Sequence, residues 1–207
     1  MAGRDIKRYK QPESDKYLIF TRRGIEIENY PAILKYLEQY KEKLTPKPKD
    51  FTGKNWPGRK PGTYKWYEIQ DAVDYYEEFE KIKIIIPAIV KSASYTIDFN
   101  KSYSNDKTSI IPVQEFHLLS LLNSKAVDFF LKHIASTKQN GYFEYKPVYV
   151  SKLPIPLLSE EDKKALNRLI EERIKHSQPI DVDNKIDQLV YQLFDLSEEE
   201  IEIIENS

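Results

Sequence analysis

Lys47, Lys49, Lys54, Arg59 and Lys60 lie close together in a stretch that also holds Trp56 and leads into Tyr64 and Trp66. Cations at this density can neutralise phosphates, while rings and guanidinium planes stack on bases or sugars. Pro46, Pro48, Pro57 and Pro61, with Gly53, Gly58 and Gly62, exclude a regular helix or central strand over 46–62. A loop this long within a compact domain is either functional or disordered. For Trp56 and Trp66 the alternative is a place in the core beneath a solvated loop. A second candidate is Lys138-Gln139-Asn140-Gly141, a polar link between an apolar helix and an aromatic, strand-like run. Amide side chains there can bridge adenine, as arginine or lysine bridges guanine. Lys7 and Arg8 add charge near the N-terminus, and Arg22 and Arg23 precede Gly24, which permits a tight turn.

Other chemistries find little footing. His117, His133 and His176 are scattered and form no His-Glu-x-x-His pair. With no cysteine, a disulfide framework and a thiolate zinc site are both excluded. Neither a Gly-x-Gly phosphate loop nor a Gly-x-Ser-x-Gly elbow is present. Glu77-Glu78, Glu160-Glu161-Asp162 and Glu198-Glu199-Glu200 sit at helical, solvent-facing positions. A metal-dependent nuclease would need clustered acids near a lysine, which linear sequence leaves open.

The 207 residues suit one large domain, or one domain with a helical appendage, and a 40% hydrophobic content is globular. No apolar run reaches the roughly 20 residues of a membrane span, and no signal peptide follows Met1, so the expected location is the cytoplasm. Charge is unevenly placed. Residues 1–60 carry 15 Lys and Arg against 8 Asp and Glu, whereas residues 157–207 carry 6 against 14. A polyanion would meet the first part and avoid the second. The start in Ala2-Gly3-Arg4-Asp5 reads as a cut from a longer protein.

The elements that must position these side chains are α+β in pattern. Tyr17–Phe20 reads as a short buried strand, and Pro31 opens a helix carrying Ile33, Leu34 and Leu37. Gln70–Phe79 is helix-like; Ile82–Val90 is β-rich, with Pro87 favouring an edge or bulge. Tyr95–Phe99 alternates as a half-buried strand should, and Ser109–Pro112 is another short strand. Ser159 with Asp162, and Ser197 with Glu200, mark helix starts in the last fifty or so residues. Ile186, Leu189, Val190, Leu193 and Phe194 form a stripe that packs on the domain or docks to a partner. We therefore expect a mixed-sheet α+β domain over 1–156 and a C-terminal helical segment over 157–207.

Several segments resemble a known family in order and content. They are Gly3–Tyr9, Tyr17–Gly24, Tyr30–Ile33, Trp56-Pro57-Gly58-Arg59-Lys60-Pro61-Gly62 through Glu68, Tyr76–Ile86, Leu121-Leu122-Asn123-Ser124-Lys125, and Tyr142-Phe143 through Leu153-Pro154-Ile155-Pro156. Together they resemble the TaqI-like C-terminal specificity domain of type IIG restriction–modification enzymes, which are adenine methyltransferase–endonucleases. The Leu-Asn-Ser and Leu-Pro-Ile-Pro pieces recur in type I specificity subunits as well. The resemblance implies a target-recognition domain that reads double-stranded DNA for a methyltransferase catalytic domain of the same polypeptide. It implies no catalysis by this chain alone and no cofactor in it, with S-adenosylmethionine and Mg2+ serving the parent enzyme. Such methyltransferases carry an Asn-Pro-Pro-Tyr-type loop, and this chain has no Pro-Pro at all. On this reading Lys7, Arg8, Arg22, Arg23, Lys47, Lys49, Lys54 and Lys60 face phosphates. Arg59, Lys138, Gln139 and Asn140 face base edges, and the rings of Tyr64 and Trp66 stack beside the cations. The competing reading is a protein-interaction module that docks through its acidic C-terminal helices; a standalone nuclease is the third.

Overall fold

Proline has a fixed φ and lacks the N–H that a first helical turn leaves unused. Pro31 accordingly starts α1 (Pro31–Glu38), and the chain breaks at Gln39 and Tyr40 before α2 (Lys41–Leu44). The computed structural model describes residues 1–175 and 180–207, so His176 lies outside the described residues. These two helices belong to a unit formed by residues 15–76; residues 1–14 and 77–207 form the other. The smaller unit buries Ile27 and Tyr64 and is otherwise rich in loops.

Two expectations for this region are corrected. Tyr17–Phe20 lies in irregular backbone, with Tyr17 fully exposed and Leu18 61% exposed. A short apolar run looks the same whether or not a sheet is there to pair it. The helix expected over 70–79 reduces to one 3-10 turn, Tyr76–Glu80. Val73, Tyr76 and Phe79 repeat every third residue, a spacing that a 3-10 turn satisfies as well as an α-helix.

The larger unit holds two three-stranded sheets. One has the order β3-β1-β4, from β1 (Lys83–Pro87), β3 (Thr96–Asp98) and β4 (Thr108–Ile111). The other has the order β2-β6-β5, from β2 (Ile89–Val90), β5 (Thr137–Lys138) and β6 (Tyr142–Glu144). Every pairing in them is antiparallel, so the sheets of this α+β fold are not mixed. Pro87 does not mark an edge either. It ends the central strand β1, where a missing donor costs least, and Ala88 carries the chain into the other sheet. Ala88 N–H donates to the Lys107 carbonyl at 2.9 Å, and its own carbonyl accepts from Tyr145 N–H at 2.9 Å.

The strand expected to be half-buried, β3, is buried on both faces. Its polar side chains are satisfied internally. Thr96 Oγ1 donates to the Lys10 carbonyl at 2.8 Å, and Asp98 Oδ2 accepts from Lys83 Nζ at 2.7 Å. Alternation thus reflected two kinds of interior surface rather than one wet face.

The helices of this unit are α3 (Phe116–Asn123), α4 (Lys125–Ile134), α5 (Pro147–Val150), α6 (Glu160–Lys175), α7 (Ile180–Leu193) and α8 (Glu198–Glu205), with α3 packed against β3 and α6–α8 against α3 and α4. The Leu-Asn-Ser segment now has a physical meaning. Asn123 brackets Tyr95, accepting from its N–H at 2.9 Å and donating to its carbonyl at 3.0 Å, while Ser124 caps α4. Asp128 Oδ1 accepts from Ala93 N–H at 2.8 Å and from the Tyr145 hydroxyl. A helix pair is thereby locked to the start of β3 by satisfied buried polar groups.

Ser159 and Ser197 cap α6 and α8 as the sequence indicates, each accepting from the backbone N–H three residues on. The core is continuous across Pro156. Leu166, Ile170, Ile186, Val190 and Ile204 share one apolar cluster with Leu119, Leu121 and Leu131. Burying each such side chain contributes about 1.5–3 kcal/mol, so the late helices pack on α3 and α4. No helix among the described residues is long and apolar enough to cross a membrane.

Candidate nucleic-acid interface

A helix C-terminus leaves backbone carbonyls without intrahelical partners. In the smaller unit, the Trp-Pro-Gly-Arg segment supplies donors to the end of α2. Trp56 Nε1 donates to the Thr45 carbonyl at 3.1 Å, Arg59 N–H to the same carbonyl at 2.9 Å, and Arg59 Nε to the Leu44 carbonyl at 2.6 Å. Gly58 is required by this close approach: a Cβ there would stand 2.2 Å from the Thr45 carbonyl oxygen. The remaining Arg59 nitrogens reach forward to the carbonyls of Glu68 at 2.7 Å, Trp66 at 2.9 Å and Lys65 at 3.3 Å. Its guanidinium also lies 4.5 Å from the Tyr64 ring centre. Burial lowers the Arg59 pKa, opposed by Tyr64.

One side chain therefore ties both ends of the basic loop. Arg59, expected at a base edge, directs its donors inward and acts here as a positioning residue. Tyr64, expected to stack, is 4% exposed, and its hydroxyl donates to the Lys60 carbonyl. Trp56 and Trp66 are half-buried, Trp66 with Lys41 Nζ 5.1 Å from its ring centre.

Glu68 completes the clamp, and sequence reasoning missed it. Nearly buried, its carboxylate accepts from Gly24 N–H at 2.9 Å and Lys65 N–H at 2.8 Å. Burial works against ionisation, but these two amides, with Lys65 and Arg23 nearby, hold its carboxyl below its ordinary value of 4.5. The depressed pKa makes this stabilisation complete above pH 4.5 and lost as pH falls through the folded-state pKa. Glu68→Gln should cost about 1–3 kcal/mol at neutral pH, because the amide NH2 confronts a backbone N–H. Exchange at the Gly24 and Lys65 amides would report it: faster in the variant at pH 7, with the gap closing in acid. A gap independent of pH would contradict the ionic clamp.

On this frame Lys49, Lys54 and Lys60 are exposed and form no ion pair among the described residues. Lys47 lies with its Nζ 5.3 Å from the Phe51 ring centre. Arg22 donates to the Tyr76 hydroxyl at 2.7 Å, and Arg23 to the Gln70 carbonyl at 2.6 Å, both remaining exposed.

The other candidates sit in the larger unit. Thr137 and Lys138 pair with Phe143 and Tyr142, leaving Gln139, Asn140 and Gly141 as a three-residue hairpin loop. Asn140 and Gly141 both take positive φ, 62° and 73°, which is what Asn-Gly supplies at a hairpin tip. Gln139 and Asn140 are exposed there. Lys138 Nζ is 3.4 Å from Glu144 Oε1, which also holds Lys146 at 2.7 Å, so this lysine shares one carboxylate with another. Lys7 is exposed, but Arg8 is not placed for a phosphate. Its Nε and Nη2 are buried without a protein hydrogen bond, and although burial opposes its charge, Tyr9, Asp183 and Asp187 hold its pKa up.

A cleft of about 610 Å³ opens beside this hairpin, with Arg4, Lys7, Lys91, Lys107 and Tyr142 among its walls. Sequence gave no sign of it, because Lys91 and Lys107 stand alone in unrelated segments that only the crossing at Ala88 brings together.

The model of the family described as the TaqI-like C-terminal specificity domain matches residues 1–155. A curated relative, type II methyltransferase M.BstVI of Geobacillus stearothermophilus, is 24% identical over 186 residues. That alignment takes in 88% of this chain and 30% of the relative, so the chain spans under a third of that protein's length.

Proposed function

Because the chain belongs to the family of TaqI-like C-terminal specificity domains, we propose that it reads a short duplex DNA sequence for the methyltransferase of a restriction–modification system. The observation that carries this reading is the family match over a chain whose basic loop is clamped by Arg59 and Glu68 with its lysines left outside. Lys49, Lys54 and Lys60, with Lys47, Arg22, Arg23 and Lys7, neutralise phosphates and set the register on the duplex. Gln139 and Asn140, at a hairpin tip narrow enough to reach into a groove, read base edges, each good bidentate pair supplying about 1–3 kcal/mol of discrimination.

Methyl transfer to adenine N6 belongs to the parent enzyme, of which we take this chain to be the recognition part within one polypeptide of type IIG, joined to a nuclease activity. S-adenosylmethionine and Mg2+ serve that parent. Among the described residues no three His, Asp or Glu side chains gather as metal ligands.

Fluorescence anisotropy with a labelled duplex tests the loop. The wild-type chain should bind, with log affinity falling linearly against log salt. Lys54→Gln with Lys60→Gln should lower the magnitude of that slope by about 2, at roughly 0.9 per phosphate contact. An unchanged slope and affinity would remove the loop from the interface. Stable capture of a protein partner by a chain that binds no DNA at low salt would favour the interaction-module reading instead.

A further inference from the structure

The cleft beside the hairpin is built by four separate segments of the larger unit. The N-terminal segment forms one wall and is stitched down along its length. Met1 amine donates to the Tyr103 carbonyl at 2.9 Å, Asn105 N–H donates to the Met1 carbonyl at 3.0 Å, and Tyr9 N–H donates to the Tyr95 carbonyl at 3.1 Å. Gly3 is held so close to the 103–107 turn that a Cβ would lie 2.6 Å from the Lys107 carbonyl oxygen. The opposite wall is the Ala88–Ser94 passage between the two sheets, and Tyr142 of β6 closes one end.

No Asp or Glu contributes to the lining, which includes Arg4, Lys7, Arg8, Lys91 and Lys107 together with the Ser92 and Ser94 hydroxyls. Arg8 is largely buried and already answered by Asp183 and Asp187; of the other cations, two have acidic neighbours outside the cleft: Arg4 Nε is 3.8 Å from Asp5, and Lys107 Nζ is 2.7 Å from Asp106. Both pairs are well exposed, where such contacts are worth little and exchange readily for another anion. Lys7 and Lys91 have no ion pair among the described residues; Lys91 Nζ lies 5.3 Å from the Tyr142 ring centre. A second, shallower hollow lined by Ile89, Lys138, Gln139 and Tyr142 shares Ile89 and Tyr142 with the first. The cationic surface is therefore continuous from the N-terminal segment to the hairpin tip. A track of cations and hydroxyls with one exposed ring, open along its length and with no carboxylate in either lining, suits a phosphodiester backbone.

We propose that this cleft is a second DNA-backbone track, in which Arg4, Lys7, Lys91 and Lys107 grip phosphates next to the base pairs that the Gln139–Asn140 tip reads. This rests on the DNA-recognition reading and extends it to residues outside the basic loop. Fixing the strand here sets how deeply the tip enters the groove, so the contribution is to affinity and register for any sequence.

The test uses the 207-residue chain as it is. Lys91→Gln with Lys107→Gln is compared with wild type and with Lys91→Arg plus Lys107→Arg, on one labelled duplex from 50 to 200 mM salt. Losing two phosphate contacts lowers the slope magnitude by about 2, so wild type should lose about tenfold more affinity than the glutamine variant across that range. The arginine variant should keep the wild-type slope. If wild type binds and the glutamine variant keeps both slope and affinity, the track is wrong while the recognition reading stands. Failure of wild type to bind at 50 mM salt overturns both. Wild-type thermal melting of the glutamine variant secures the comparison, since both lysines are exposed.

Discussion

Replacing Arg59 with alanine should free the basic loop, speeding hydrogen exchange at the Lys47 and Arg59 amides by about a hundredfold and weakening DNA binding in step. Both amides are held by the Pro46–Arg59 bridge, Lys47 N–H donating to the Arg59 carbonyl at 3.0 Å and Arg59 N–H to the Thr45 carbonyl at 2.9 Å. The guanidinium that keeps this bridge in place donates to Leu44, Lys65, Trp66 and Glu68 carbonyls at once. Hydrogen bonds to a charged group contribute about 1.5–3 kcal/mol each, but these share one partly exposed side chain. We therefore expect about 2–4 kcal/mol for the set. Arg59→Lys should behave nearly as badly, because one ammonium cannot replace a planar fork directed at carbonyls on two sides. A residue that read a guanine would give another pattern, with exchange unchanged and affinity partly kept by lysine. That pattern would return Arg59 to the base edge.

The second large effect lies at Asp98. Lys83 and Asp98 are both fully buried, joined at 2.7 Å, with Lys83 also donating to the Phe79 carbonyl at 2.9 Å. Asp98 accepts from Asn100 N–H at 2.9 Å and Ser102 N–H at 2.7 Å, and from Gln11 Nε2 at 3.3 Å. The pair thus ties β1 to β3, to the turn that follows, and to the N-terminal segment walling the cationic cleft. Asp98→Ala leaves an ammonium buried without its partner and should cost about 3–5 kcal/mol. Adding Lys83→Met removes that charge and should recover part of the loss. It should not recover all of it, because the Asn100 and Ser102 amides still lack an acceptor, at about 1–3 kcal/mol. Urea unfolding of the three proteins gives the ordering. A single variant within about 1 kcal/mol of wild type, or a double no better than the single, would show that the pair does not organise the sheet.

How much of this was legible in the chain depends on whether a signal is local. Pro31 and the Ser197–Glu200 box act over one helical turn, and both mark the helices that form. The loop over 46–62 was legible too, since prolines and glycines exclude the alternatives locally. Burial is not local. Tyr17–Phe20 carries the same apolar pattern as a core strand but lies in irregular backbone, while Tyr95–Phe99 alternates although Thr96 and Asp98 are buried with internal partners. At the candidate interface, sequence pointed to the segment containing Arg59 but not to the direction of its guanidinium, which depends on where α2 ends. Arg8 shows the same limit: a basic residue near exposed Lys7 turns inward beside Asp183 and Asp187, more than 170 positions away. Lys91 and Lys107 could not have been chosen at all, because only the strand crossing at Ala88 makes them neighbours in one cleft.

Selection from a duplex library with a randomised central stretch tests the claim of sequence reading most directly. The chain should enrich one short motif, and Gln139→Ala with Asn140→Ala should relax the preference at particular positions while leaving the salt slope unchanged. Binding that enriches no motif after repeated rounds would contradict recognition and leave only a non-specific polyanion surface.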